Sequence, residues 1–560
     1  MEQTLKAPWL SSYGDLPHHL EYSDKSMSGT VFDTASREPD FTALSFMGRS
    51  IPFKEMAENI DRVAKAFYAL GVRPGKRVLV CLPNVPQAIY CLYGLNRIGA
   101  VAAMVHPLSA VGEIIHFLDE ADCDCAVTLD QFYAKFMEVK AKRPLRNLII
   151  ARVSDELPGI LPLLFRLTTE RKFPKVIASD DVMKWNDFVK GGEAVTDGYV
   201  VEKDPETEAV VLFSGGTTGT SKGIMLSDLN FNAMALQTAV MSHEDVRHLK
   251  MLAAMPIFHG FGLGVCIHTM MVMGGTSILV PRFNVKSYSE LIKKNRPNFI
   301  AGVPTLYEAI ASGPYLDGVD LSCLKGVFSG GDSLSIELKK KFDAFLASHN
   351  AKVRIREGYG TTESVTANCL TPFDKEKEGS IGVPYPDTYF RICRVGTDEE
   401  LPYGEEGEIC VSGPSVMVGY INHEEENAAT LHNVDGRIWL HTGDLGLMDE
   451  EGFVYFKQRI KRMIVTSGYN VYPSQIENVL DAHKAVRTSC VIGVPDPYKM
   501  QKVKAFVVLN DGYSDSPELR DDIMNHCREY VAKYAMPYEI EVIAELPKTL
   551  VGKVAYTQLS

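Results

Sequence analysis

The chain has 560 residues, more than one hydrophobic core usually serves, so at least two domains are expected. Its 46% hydrophobic and 23% charged residues exclude a disordered or fibrous chain. A net charge of −13 argues against nucleic acid as a partner, because phosphate backbones need a basic surface.

From the N-terminus, no basic region followed by an apolar run is present, so no signal peptide is expected. Residues 62–71 have the pattern of an amphipathic helix closing on Gly71. Residues 77–82, 100–105 and 126–129 read as strands, with helices over 86–98 and 108–120 between them. This alternation predicts an α/β domain with a largely parallel sheet. Residues 140–205 look irregular. Within them the apolar run 160–167, flanked by Arg171, Lys172 and Lys175, is expected to be a buried surface helix, with a lipid-touching patch as the alternative. Eleven cysteines are scattered from Cys81 to Cys527. Cys123 and Cys125 form a CxC, but no CxxC pair or Cys/His cluster suggests zinc. Reduced thiols and a cytosolic location are expected.

The stretch on which the chain centres is 214–223, Ser-Gly-Gly-Thr-Thr-Gly-Thr-Ser-Lys-Gly, following an apolar strand at 209–213. Its four glycines let backbone N–H groups turn toward an anion. Hydroxyls and Lys222 add further donors and a positive charge. This is polyphosphate-loop chemistry, yet not a Walker A loop, since Ser221 rather than glycine precedes Lys222. Residues 251–281 lack Asp, Glu, Lys and Arg, but Pro256, two histidines and several glycines interrupt them. A buried helix between loops is preferred to a membrane span. Strands at 299–305, 326–332 and 354–359 each run into Gly/Thr-rich turns, which suggests a site beyond the carboxyl ends of a sheet. From about residue 379 a small β-rich subdomain begins. Residues 459–462 form a basic joint, and the last hundred residues read as an α+β domain.

Six motifs then stand in order: the 214–223 loop, Tyr359-Gly-Thr-Thr-Glu363, Thr442-Gly-Asp444, Arg459-Ile-Lys461, Ser467-Gly-Tyr-Asn-Val-Tyr-Pro473 and Pro547-Lys-Thr-Leu-Val-Gly-Lys553. The set resembles the adenylate-forming enzymes over nearly the whole length, and within them the acyl-CoA ligases, most like those for medium and long fatty acids. The resemblance implies a large α/β N-terminal domain of parallel-rich sheets with a β-rich subdomain (1–460), and a small mobile α+β C-terminal domain (461–560) turning about Lys461. It also implies a two-step reaction. A carboxylate attacks the ATP α-phosphate and releases pyrophosphate; the CoA thiol then displaces AMP. In-line attack at phosphorus needs positioning and charge neutralisation more than a protein nucleophile.

Roles follow from the same resemblance. Ser214, Gly215, Gly216, Thr217, Thr218, Gly219, Thr220 and Lys222 would cradle the β/γ-phosphates. Thr362 would meet the α-phosphate, and Glu363 with Thr218 would hold Mg2+, a hard cation suited to carboxylate and phosphate oxygens. Gly331, Asp332 and Tyr359 would frame the adenine, with Gly360 and Thr361 also at the nucleotide and Thr361 doubling as part of the acyl-pocket wall. Asp444 would accept the ribose hydroxyls, with Arg459 beside it. Lys553 would stabilise charge developing in the first step. His259 and Phe258 would line the acyl pocket with Gly302, Val303, Phe328 and Gly330. Gly468 lies in the segment expected at the thioester site after rotation. Departures from the family's usual pattern stand at Ser474-Gln475 and at Met500-Gln501, outside the chemistry. Expected partners are a small carboxylic acid, ATP and CoA, with peripheral membrane contact in view. Three rivals stay open: an aromatic acid, loading of a carrier protein, and a lipid-binding protein that has lost turnover.

Overall fold

A computed structural model of the chain describes residues 6–214, 221–466, 469–549 and 554–560. Four sheets organise them. The nine-stranded sheet has a parallel centre, in which Ile355–Tyr359, Gly326–Ser329, Phe299–Gly302, Lys250–Ala253, Thr276–Leu279 and Thr42–Phe46 lie side by side. The eight-stranded sheet is parallel from Glu208–Phe213 through Val101–Met104, Arg77–Cys81, Cys125–Leu129 and Asn147–Ala151 to Val182–Lys184. Strands such as Val101–Met104, Cys125–Leu129 and Asn147–Ala151 are buried at every position. Runs apolar on both faces need cover on both faces, which the crossover helices supply. Pro86–Arg97, between Arg77–Cys81 and Val101–Met104, is one of these, and Phe53–Ala69 packs beside it; Phe67, Ile60, Tyr90 and Leu92 belong to the main core.

A third, antiparallel sheet holds Tyr389–Cys393, Gly407–Ser412, Leu431–Val434, Arg437–Met448 and Val454–Arg459. It is the β-rich region expected after residue 379. The chain then changes sheet. Ile464–Thr466, Tyr469–Val471, Val486–Asp496, Met500–Leu509 and Glu539–Val542 form the fourth, with helices Pro473–Asp481 and Pro517–Tyr530 and a separate core around Ile476, Leu480, Val507 and Ile523.

Three expectations need correction. Residues 140–205 are not irregular: they contain strands Asn147–Ala151 and Val182–Lys184 and helices Leu161–Thr168 and Trp185–Gly191. Leu161–Thr168 is helical but not buried. Only Phe165 joins the core, and Arg166 is tied back to Ser154 and Asp155, whereas Leu163 is 56% and Leu167 57% exposed. Leucine content suggested a second layer over this helix, and none lies there among the described residues. Residues 251–281 are buried, as strands Lys250–Ala253 and Thr276–Leu279 joined by a π-helix Phe261–His268 and a short helix Thr269–Met273. No helix of the described residues is long and apolar enough to cross a membrane. All eleven cysteines are free thiols.

Candidate active site

The parallel strands Lys250–Ala253, Phe299–Gly302, Gly326–Ser329 and Ile355–Tyr359 end along one edge, and their following turns meet there. Gly330 N–H donates to the Gly302 carbonyl at 3.1 Å. The turn after Ile355–Tyr359 carries Thr361, Thr362 and Glu363 and is locked from behind. Thr361 N–H donates to Ser364 Oγ, Ser364 Oγ bonds Asn368, and Asn368 Nδ2 donates to Ser415 Oγ at 2.7 Å. Val365 closes the turn at φ 65° and ψ −58°, with Thr366 N–H on the Ser364 carbonyl at 2.8 Å. That is a γ-turn of the positive-φ kind, strained for a β-branched side chain and held only by its surroundings. Gly260 is the surrounding that matters most. A Cβ there would lie 1.6 Å from the Val365 carbonyl oxygen.

Glu363 faces Tyr420, whose hydroxyl donates to Oε1 at 3.0 Å. Lys222 Nζ lies 5.2 Å from the centre of the Tyr420 ring and 3.0 Å from Glu426 Oε1. Ser214 and Lys222 pair through two bonds of 3.0 Å and so close the base of the Gly-rich loop. Gly215, Gly216, Thr217, Thr218, Gly219 and Thr220 lie outside the described residues. The base is further tied by Glu120, which accepts from Gly223 N–H at 3.1 Å and bonds His423 at 2.9 Å.

Asp444 sits where the nine-stranded sheet meets the antiparallel one. It is 1% exposed. Tyr359 donates its hydroxyl to Oδ2 at 2.6 Å, and Arg459 Nε stands 2.9 Å from Oδ1. Burial, and then the Asp444 charge, push the Tyr359 phenol well above its ordinary value, so it stays a donor. Arg459 reaches Asp444 because the two are directly paired across neighbouring strands. Gly331 takes φ 81°, and Asp332 Oδ1 accepts from Ser333 N–H at 3.0 Å. Arg462 lies within electrostatic reach of Asp332 and 5.1 Å from the Tyr556 ring. Lys548 pairs with Val554, so both flanks of the Lys553 segment are described although Lys553 itself is not.

The structure therefore brings Tyr359, Asp444 and Arg459 into direct contact, and Glu363 and Lys222 to the same Tyr420, one at its hydroxyl and the other over its ring. His259 is half-buried in the turn before Phe261–His268, where Nδ1 accepts from Phe261 N–H at 3.2 Å. Its neighbour Gly260 packs against Val365 of the Glu363 turn. Phe258 packs on His106, with ring centres 4.4 Å apart. Gly360 packs tightly on the Thr366 carbonyl, and Thr361 is buried. Lys461 is exposed on the turn Ile460–Arg462, which Arg459 precedes. Gly468 is outside the described residues. Sequence reasoning missed Tyr420, Glu426 and Glu120. Tyr420 is 57 residues from Glu363 and Glu120 is 103 from Gly223, so no local spacing signals either contact.

A family model described as AMP-binding enzyme matches residues 31–421, and one described as AMP-binding enzyme C-terminal domain matches 475–553. The chain is 36% identical over 559 residues to a long-chain-fatty-acid–CoA ligase of Bacillus subtilis (strain 168), covering 99% of this chain and 97% of that one. It is 32% identical over 570 residues to a protein of the same name from Yersinia pestis, covering 98% and 97%. The crystal structure of an ATP-bound RpMatB-BxBclM chimera superposes with a TM-score of 0.83 at 25% identity, covering 96% of this chain and 98% of that one. The chain belongs to the AMP-binding enzyme family.

Proposed function

We propose that the acid activated here is a long-chain fatty acid, on a site built from Lys222, Thr362, Glu363, Tyr359, Asp444, Arg459 and Lys553. The class itself is plain: the chain is an AMP-forming acid–CoA ligase, using ATP and CoA. The observation that carries the site assignment is the junction at Asp444, where a buried carboxylate is oriented by Tyr359 and Arg459. A buried carboxylate anchored through Oδ2 by the Tyr359 hydroxyl, with the Arg459 guanidinium beside Oδ1, is a rigid acceptor suited to a ribose diol. Fatty acid as substrate is supported by the names of both curated relatives.

In the first step the acid's carboxylate oxygen attacks the α-phosphorus and pyrophosphate leaves. Thr362 is held at the phosphate by its locked turn, and Lys222 exchanges Glu426 for phosphate oxygens. Lys553 stabilises charge growing at the α-phosphate. Glu363 fits a Mg2+ ion, since it presents a carboxylate, accepting from Tyr420 at Oε1, beside the base of the phosphate loop. When bound, that ion neutralises phosphate charge. In the second step the CoA thiolate attacks the acyl carbonyl and AMP leaves. The 1–460 and 461–560 parts turn against each other about Lys461 between the steps, a reading supported by the change of sheet between Arg459 and Ile464.

The exposed helix Leu161–Thr168 supports contact with a lipid surface. Ile160, Leu161, Leu163, Leu164 and Leu167 stand beside exposed Arg171, Lys172 and Lys175, which matches an anionic interface. Leu163→Glu with Leu164→Glu is expected to abolish sedimentation with phosphatidylglycerol vesicles; unchanged sedimentation would refute it.

The deciding experiment measures pyrophosphate release from ATP and Mg2+ over fatty acids of graded length and aromatic acids, with and without CoA. CoA-dependent turnover peaking at long chains is expected. A peak on benzoate-type acids, or adenylate without CoA-dependent turnover, would overturn the substrate assignment.

A further inference from the structure

Beyond the nucleotide site, the antiparallel sheet gathers side chains that no sequence spacing connects. His432 on Leu431–Val434 and His441 on Arg437–Met448 stack with ring centres 4.0 Å apart. Both present a nitrogen to one atom. His432 Nδ1 is 2.9 Å and His441 Nε2 3.1 Å from Asp398 Oδ1. The other nitrogen of His441 is already taken: Nδ1 lies 3.0 Å from Oε2 of the buried Glu408. Oε1 of that glutamate accepts from Gly443 N–H at 2.9 Å, which fixes its orientation.

These contacts leave His441 two ways to stand, as an imidazolium donating to both carboxylates or as a neutral ring with a metal ion in place of the Nε2 proton. A carboxylate at Nδ1 requires the proton there, so in neutral imidazole the Nε2 lone pair points at the Asp398 oxygen. Two acceptors 3.1 Å apart repel unless a proton or a metal ion lies between them. A histidine whose far nitrogen donates to a buried carboxylate is the usual support of a metal-binding imidazole. Two imidazole nitrogens and one carboxylate form an N2O set, which suits Zn2+ and neighbouring transition ions and not Mg2+ or Ca2+, which prefer all-oxygen sets. The nearest competing cation, Arg391, is 3.5 Å from the same oxygen and is also held over Trp439 at 4.1 Å. Cys410 Sγ is 3.5 Å from His441 Nδ1, on the Glu408 side of the ring and not on the Asp398 side.

We propose that Asp398, His432 and His441 form a binding site for a transition-metal dication, Zn2+ being the probe, with Glu408 orienting His441 from behind. A water completes the coordination on the side where Asp398 and His432 are open to solvent. The site is one residue from the Thr442-Gly443-Asp444 segment, through both the chain and Glu408.

The test is metal binding by the full-length protein, read by mass spectrometry of retained metal after dialysis and by competition with a chromophoric chelator. Neither readout depends on turnover. One equivalent of Zn2+ is expected. His432→Ala and Asp398→Ala, both at solvent-accessible positions, are expected to lose it, while Glu408→Gln weakens it about 10–100-fold. Co2+ in place of Zn2+ is expected to give visible ligand-field bands that vanish in His432→Ala. Zn2+ retained equally by the His432 and Asp398 variants, or absent from the unmodified protein, would overturn the proposal and leave His441 as an imidazolium between two carboxylates.

Discussion

Replacing Gly260 by alanine tests whether the Glu363 turn is held from outside. The new Cβ would start 1.6 Å from the Val365 carbonyl oxygen, and real Cβ atoms essentially never come within 3.0 Å of another atom. The oxygen must therefore retreat by about 1.4 Å. It cannot do so alone, because Val365 is in a strained γ-turn bonded through Ser364 and Thr366. The movement passes to Thr362 and Glu363, three and two residues back. A displacement near 1 Å at a reacting centre costs roughly 100-fold in rate, and overpacking adds about 1–3 kcal/mol of instability. Gly260→Ala is thus expected to release pyrophosphate about 100-fold more slowly at saturating ATP. Gly112→Ala, in helix Val111–Glu120 with open space around its Cβ position, is the control and should behave as the unmodified protein. Initial rates at saturating acid, with circular dichroism to verify folding, make the comparison. A folded Gly260→Ala protein within twofold of normal turnover would refute the coupling.

Asp444→Asn removes the charge that faces Arg459 and one acceptor from Tyr359; with charge-assisted bonds worth about 1.5–3 kcal/mol, the KM for ATP is expected to rise about 10–100-fold, and an unchanged KM would count against Asp444 as the diol acceptor. Lys461→Pro is expected to leave acyl-adenylate formation near normal and to cripple thioester formation; equal loss in the two half-reactions would sink the hinge. Tyr420→Phe removes a hydroxyl that donates to Glu363 Oε1 and should change the Mg2+ concentration giving half-maximal rate more than it changes the KM for CoA. His268 is buried between Tyr93 and Asn232, each 3.0 Å away, and burial lowers its pKa from 6.5 to about 3. The unfolded chain therefore takes up the proton first. This part of the stability is fully present above about pH 6.5 and is lost as pH falls toward 3, by at most about 1.4 kcal/mol per pH unit. In chemical denaturation across pH 4–7, His268→Gln is expected to lower that slope, and parallel profiles would disprove it.

Much of this protein was legible in its residues because the relevant forces are local. Apolar runs such as Arg77–Cys81 and Cys125–Leu129 announce doubly covered strands, and Gly71 ends its helix through a conformation that side chains disfavour. The motifs around Glu363 and Lys222 located the strand ends for the same reason, since turns that approach a ligand need glycine and short hydroxyl residues. What the sequence could not contain is which distant side chains complete each site. Tyr420 on Glu363, Glu426 on Lys222 and Glu408 behind His441 are set by strand register and by the packing of separate sheets. The exposure of Leu161–Thr168 was likewise undecidable, because leucines look the same in a core and on an uncovered face. Composition and periodicity determined the elements and their order; only the tertiary structure decided their partners, because contact energies depend on distance in space and not along the chain.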